Sequence, residues 1–325
     1  MRNRLLHPGR LLALGLTLLA QSAAAQVPLV PAQPDPNDPD ATLVEELVVT
    51  ARLPGPAWWR VSKGDSVVYV LGAPGLAPKR LAWDRAVFER RLEGANVVIL
   101  PFKGLKVKLK GAPGALFAYM RLKSSTPFEE TLPPGLRARF AAVRERLGEP
   151  AKHYGTKNPL AAGVMLISNY REQAQLTDAE PTKLVRYLAQ QKRVPVEQRT
   201  YDVAPLLGAI AKTPSSGGMS CLEEVLAEAE SGSAATRAAA QAWAAGDVRG
   251  ALAGERSYER CLNAAPGALA FDARAKADQA AAIAKALQRP GHSIAVVPLR
   301  TLLSQGGVLD RLRAEGFEVQ TPGEG

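Results

Sequence analysis

Only three histidines occur in the 325 residues, His7, His153 and His292, and none belongs to a compact ligand motif such as His-Glu-x-x-His. The two cysteines, Cys221 and Cys261, form no Cys-x-x-Cys sequence, which excludes a thioredoxin-type redox centre and a cysteine-rich zinc module. Aromatic residues make up 6% of the chain and no recognisable nucleic-acid motif is present, so the positive charge is not read as a nucleic-acid footprint. Beyond the N-terminus no apolar run approaches the ~20 residues that a helix needs to cross a bilayer. There is no Gly-x-Ser-x-Gly elbow and no phosphate-binding glycine loop followed by Lys-Ser/Thr. The acidic pairs Glu45-Glu46 and Glu129-Glu130 are sequence neighbours, which does not by itself make two carboxylates converge on a substrate.

What is present begins with an export signal. Arg2, Arg4 and Arg10 precede the apolar residues 11–20, and Ala23-Ala24-Ala25 offers a small-residue cleavage site. The expectation is a signal peptide over residues 1–25, a mature chain starting at Gln26, and a periplasmic or secreted location. Cleavage removes three arginines and lowers the formal net charge from +10 to +7. That surplus suits an anionic envelope component, or a protein, as partner. In an oxidising compartment an even pair of cysteines is expected to form a structural disulfide, Cys221 with Cys261, which leaves no thiol nucleophile.

Residues 26–43 are rich in Pro, Asp and Asn and poor in apolar groups, the composition of a flexible tether. Residues 44–52, VEELVVTAR, are similar to the strand-adding segment known as the TonB box, and read otherwise as an edge strand or a lead-in to the first hairpin. Residues 58–62 and 67–71 are β-branched and aromatic runs around Gly64-Asp65, a hairpin. Asp84 is placed to cap a helix running to about Glu93, and residues 96–100 then read as a buried strand. Residues 105–110 alternate Leu or Val with Lys, as in an anion-binding strip or a solvated sheet edge.

Helices are expected over 134–147, 159–167, 181–191, 201–211 and 271–288, with a short strand at 194–197. Residues 213–220, rich in Pro, Ser and Gly, read as a joint. The alanine-rich stretch 221–265 reads as a helical hairpin closed by the disulfide, with Glu223, Glu224, Glu228 and Glu230 mostly solvated. A strand at 293–297, a helix at 307–315 and a strand at 317–320 close the chain.

The second strand of the hairpin runs into Gly72-Ala73-Pro74-Gly75, then Leu76-Ala77-Pro78. This outline resembles the first motif of the TraB/GumN family, relatives of the Tiki proteases proposed to be metal-dependent hydrolases. In that family the strand ends in Gly-x-x-His followed by Leu-Pro. Here Gly75 stands where the resemblance places a histidine. A second Gly-x-x-His precedes Gly-Val-Leu-Asp-x-Leu, which is intact as Gly307-Val308-Leu309-Asp310-Arg311-Leu312. Counting back puts Thr301 at the histidine position and Pro298-Leu299-Arg300 in place of a glycine-rich turn. Pro101 replaces the acidic residue expected after the 96–100 strand, Glu197 matches an acidic position in the middle of the chain, and Arg274 matches an Arg-Asn pair on the last long helix.

The resemblance implies an α+β domain over residues 44–325. Its mixed sheet would be built from an N-terminal ββαβ unit and a C-terminal βαβ unit, with a helical insertion over about 115–290 between them. A hydrolytic metal site needs about three imidazole, thiolate or carboxylate ligands and an open position for water. With Gly75, Pro101 and Thr301 at three site positions, no metal and no cofactor is expected, and no catalytic residue is assigned. Glu197, Arg274 and Arg300 are the polar positions left to line a cleft. The expected function is a non-catalytic pseudoenzyme that binds or scaffolds in the cell envelope. The alternatives are a peptidase-like hydrolase with a rearranged ligand set and an envelope-interaction module.

Overall fold

The computed structural model of the protein describes residues 38–322, apart from 52, 103–104, 107–110, 203 and 255. The expected signal peptide and most of the expected tether lie outside the described residues.

The N-terminal unit is β1 (Trp58–Lys63), β2 (Ser66–Ala73), the two-residue β3 (Ala77–Pro78), α1 (Ala86–Leu92) and β4 (Val98–Leu100). Gly64 makes the β1–β2 turn with φ +56°, a left-handed conformation that glycine adopts without a Cβ clash. Asp84 accepts a hydrogen bond from the Ala86 N–H at 2.8 Å, but the N-cap position of α1 is Arg85, one residue after the expected cap.

The helical insertion opens with β5 (Leu105–Lys106), α2 (Ala112–Leu122), α3 (Pro134–Arg146), α4 (Pro159–Gln173), β6 (Leu176–Thr177) and α5 (Thr182–Gln191). It continues with β7 (Val196–Gln198), β8 (Tyr201–Asp202), α6 (Ala204–Ile210), α7 (Ser215–Ser231), α8 (Ala234–Ala244), α9 (Val248–Ala251), α10 (Ser257–Asn263) and α11 (Ala268–Ala286). The closing unit is β9 (Gly291–Pro298), α12 (Leu299–Leu303), α13 (Val308–Ala314) and β10 (Glu318–Gln320).

The architecture is α+β around one mixed sheet of order β10-β1-β2-β9-β4-β7. The pairs β10/β1 and β1/β2 are antiparallel, whereas β2/β9, β9/β4 and β4/β7 are parallel. Residues 294–297 of β9, Ile-Ala-Val-Val and all buried, form the continuous apolar centre that a strand covered on both faces requires. Trp59, Val61, Val68, Leu71, Phe88 and Leu309 pack with it in the sheet core. A second core lies among the helices, where Phe128, Phe140, Tyr154, Leu160, Ile167 and Leu222 pack together. There Cys221 of α7 is bonded to Cys261 of α10, with Cα atoms 4.8 Å apart.

Three local expectations are corrected. Residues 213–220 do not form a joint: Pro214 caps α7, and Ser215 to Ser220 are its opening turns. Gly218 serves packing instead, since a Cβ on it would lie 2.8 Å from the Leu160 nitrogen where α7 crosses α4. The stretch 221–265 is not a two-helix hairpin, because α7, α8, α9 and α10 all fall in it, and the disulfide joins the first of these to the last. Glu228 is not solvated: it is 4% exposed and meets Ser257 and Arg171.

At the N-terminal boundary, residues 38–43 carry tertiary contacts. Arg256 clasps Asp38 through two hydrogen bonds of 2.7 and 2.5 Å, and Lys276 reaches Asp40 at 2.9 Å. Residues 44–51 form no extended strand. Glu45–Leu47 is a turn of 3-10 helix, Leu47 is fully buried, Leu43 bridges to Ser304, and Thr50 bridges to Asp247. Of the lysine strip, residues 107–110 lie outside the described residues.

A candidate cleft at the carboxyl edge of the sheet

Because β2, β9, β4 and β7 run parallel, all four deliver their carboxyl ends to one edge of the sheet, where ligands of parallel sheets are commonly bound. Two clefts open there. The first, of about 640 Å³, lies beyond β2 and β9 and is lined by Gly75, Leu76, Arg300 and Thr301, joined by Asp40, Arg256 and Glu259 from other elements. The second, of about 340 Å³, lies beyond β4 and β7 and is lined by Leu100, Glu197, Gln198, Tyr201 and Asp278.

The positions singled out in the sequence therefore separate. Gly75, Arg300 and Thr301 share the first cleft, and Gly75 and Thr301 are the two positions where the sequence resemblance led one to expect histidine. Gly72 sits behind it: a Cβ there would lie 2.4 Å from Leu299 Cδ2 and 2.9 Å from Trp59 Cζ3, and its carbonyl accepts from the Trp243 indole N–H. Only glycine fits so close to two side chains. Gly75 is unlike it, with open space where a Cβ would stand. Pro101 offers only its carbonyl, which accepts from Gln198 Nε2 at 2.6 Å. Glu197 faces the second cleft with Lys285 at 3.7 Å, and Arg274, 74% exposed, lines neither cleft. Thr301 lies within the short helix α12 rather than in a glycine-type turn.

The first cleft's charges are held from beneath. Arg300 donates to the carbonyls of Asp40, at 3.3 Å, and of Leu252, and burial holds its guanidinium below the ordinary arginine value. Lys276, 3% exposed, bridges Asp40 at 2.9 Å and Asp272 at 2.7 Å. Burial works to lower the Lys276 ammonium, but the charge of Asp40 and the hydrogen bonds to both carboxylates outweigh it and the net shift is upward. Glu259 has an Oε2 that is shut off from solvent and makes no hydrogen bond. Burial pushes its carboxyl above the ordinary glutamate value against the pull of Arg171 and Arg256, while nearby Glu228 adds to the rise. None of Asp40, Arg256, Glu259 and Lys276 was signalled by the sequence, since each belongs to a segment whose charges read as ordinary surface.

This donor set does not fit a hydrolytic metal ion. Gly75 has no side chain and Thr301 offers only a neutral hydroxyl, Asp40 is committed to Lys276, and burial raises the Glu259 carboxyl and so disfavours its charged form. Among the described residues no group of three or more His, Cys, Asp and Glu side chains is placed to hold a metal. The two histidines among the described residues are used elsewhere: His292 Nε2 meets the Arg91 carbonyl at 2.8 Å, and His153 lies between Asn169 and Glu149.

The profile described as the TraB/PrgY/gumN family matches residues 57–321. The chain belongs to this family. No curated protein and no solved structure matches it. Within the TraB/PrgY/gumN frame the match spans both ends of the sheet, from the residue before β1 to the residue after β10.

The state of Glu259 is testable by pH. A carboxyl raised in the folded state keeps its proton to a higher pH than the unfolded chain does. Its contribution to stability is therefore fully present below the ordinary value of 4.5 and lost as pH rises through the folded value. Glu259→Gln is expected to raise the melting temperature at about pH 7 to 8, with the gain disappearing as pH falls towards about 4. An equal effect at every pH would mean that Glu259 is not proton-linked.

Proposed function

We propose that this protein is an exported, non-catalytic member of the TraB/PrgY/gumN family, a pseudoenzyme whose first cleft serves as a binding or scaffolding surface in the cell envelope. The observation that supports this best is the convergence of Gly75 and Thr301 on one cleft, with Arg256 and Arg300 where the family expectation places imidazole chemistry. Such a cleft combines two arginines and two carboxyl groups, Arg256, Arg300, Asp40 and Glu259, with apolar groups from Leu76, Leu252 and Leu299. A hydrolase with rearranged ligands would have to draw on Asp40 and Glu259, both of which are already engaged by burial or pairing. Export rests on residues 1–25, and no described helix is long and apolar enough to cross a membrane.

The test is thermal. Zinc or manganese, added with and without chelator, should leave the melting temperature unchanged, because a ligand bound at 100 times its Kd would stabilise the fold by about 2.7 kcal/mol. A chelator-reversible rise of several degrees would favour the hydrolase alternative. The intact mass of exported material should correspond to a chain that starts at Gln26.

A further inference from the structure

Helix α2 turns apolar side chains outward. Leu116, Phe117, Tyr119 and Met120 are 57 to 60% exposed, while the same helix buries only Ala115 and Ala118. At 100° per residue, Tyr119, Leu116, Met120 and Phe117 follow one another around the outer face, so the exposed groups form one continuous arc. Half of the eight large hydrophobic residues exposed among the described residues belong to this eleven-residue helix. The inner side of α2 rests on α6, and the groove between them, of about 1120 Å³, is lined by Phe117, Arg121, Lys212 and Asp202.

The segment of sequence that carries α2 has charge of one sign. From Phe102 to Lys123 the chain carries six basic residues, Lys103, Lys106, Lys108, Lys110, Arg121 and Lys123, and no acidic one. Arg121 lies over the Phe117 ring at 6.0 Å, so one of these cations belongs to the apolar arc itself.

We propose that α2 is a docking face for an anionic phospholipid bilayer, on which the protein lies peripherally with the Leu116, Phe117, Tyr119 and Met120 arc entering the headgroup boundary. Apolar area and positive charge act together at such a surface, each basic residue near it adding attraction to acidic headgroups. Charge decides against a second copy of this chain as the occupant, because a symmetric contact through α2 would bring Arg121 and Lys123 of one copy towards those of the other. The inference is independent of the cleft: it needs no ligand there and survives a metal in it.

The experiment is co-sedimentation of the mature protein with large unilamellar vesicles. These are pure phosphatidylcholine, or phosphatidylcholine with about 30% phosphatidylglycerol, in about 50 mM and about 500 mM salt. Binding is expected only to the anionic vesicles and should weaken at the higher salt. Leu116→Ser with Met120→Ser should lower the partition coefficient on the order of tenfold, with the melting temperature unchanged because both side chains are already exposed. No binding, equal binding by the double variant, or equal binding to pure phosphatidylcholine would each overturn the proposal. So would light scattering that shows a dimer of the parent protein and a monomer of the double variant, since the arc would then be a subunit interface.

Discussion

Breaking the Cys221–Cys261 bond is expected to destabilise the protein by up to about 4 kcal/mol, as the chain-entropy argument gives for a loop of this length. The two residues are 40 positions apart and both are buried, at 4% and 1% exposure, in the core formed by the helices. The bond fixes α7 to α10, and these helices carry Glu228 on one side and Ser257 and Glu259 on the other. Loss of the crosslink should therefore loosen the wall of the first cleft before it affects the sheet. Denaturant titrations of the parent and of Cys221→Ala with Cys261→Ala measure the total effect, and amide exchange locates it. Slow exchange kept in β2 and β9 but lost in α7 and α10 is the expected pattern. An unchanged midpoint would mean that helix packing alone holds this layer.

The second large effect is expected at Lys276. Its ammonium is almost fully buried between Asp40 and Asp272, so Lys276→Met would leave two carboxylates without their cation. Removing one partner of a buried ionic group costs about 3 to 5 kcal/mol, most of it the penalty of the charges left behind. Lys276→Met combined with Asp40→Asn and Asp272→Asn should recover much of that loss, because the uncompensated charge is then gone. If the single and triple variants are equally unstable, the cluster acts through packing and not through charge. Detachment of residues 38–43 from α11 should accompany the single variant and appear as new proteolytic cleavage ahead of β1.

Local chemistry was legible in the sequence where one segment determines it. The Gly64-Asp65 hairpin, the start of α1 beside Asp84, the apolar α4 and the last strand–helix–strand unit all formed within a few residues of where their patterns placed them. Sheet order was not legible, because β7 is a three-residue strand in the helical insertion that pairs with β4 almost one hundred residues earlier. Residues 213–220 differ from their loop-like pattern for a similar reason. A Pro-Ser-Ser-Gly-Gly sequence is loop-like locally, and only contact with α4 shows why a glycine is needed at Gly218 inside a helix.

Gly75 and Thr301 were found by motif register, and the fold brings them to one cleft. The groups that give that cleft its electrostatics come from three further segments, with Asp40 before the sheet, Arg256 and Glu259 around α10, and Lys276 on α11. No spacing rule connects them. Glu197 and Arg274 illustrate the opposite outcome, since the sequence resemblance singled them out as cleft positions and the fold does not place them beside Gly75 and Thr301.

The central claim, that the cleft binds without metal chemistry, is tested most directly by elemental analysis of the dialysed mature protein beside a family member that has both histidines, with peptidase activity measured on the same samples. The expected result is no stoichiometric transition metal and no metal-dependent cleavage in this protein. About one equivalent of tightly held metal, removed by chelation together with an activity, would contradict it.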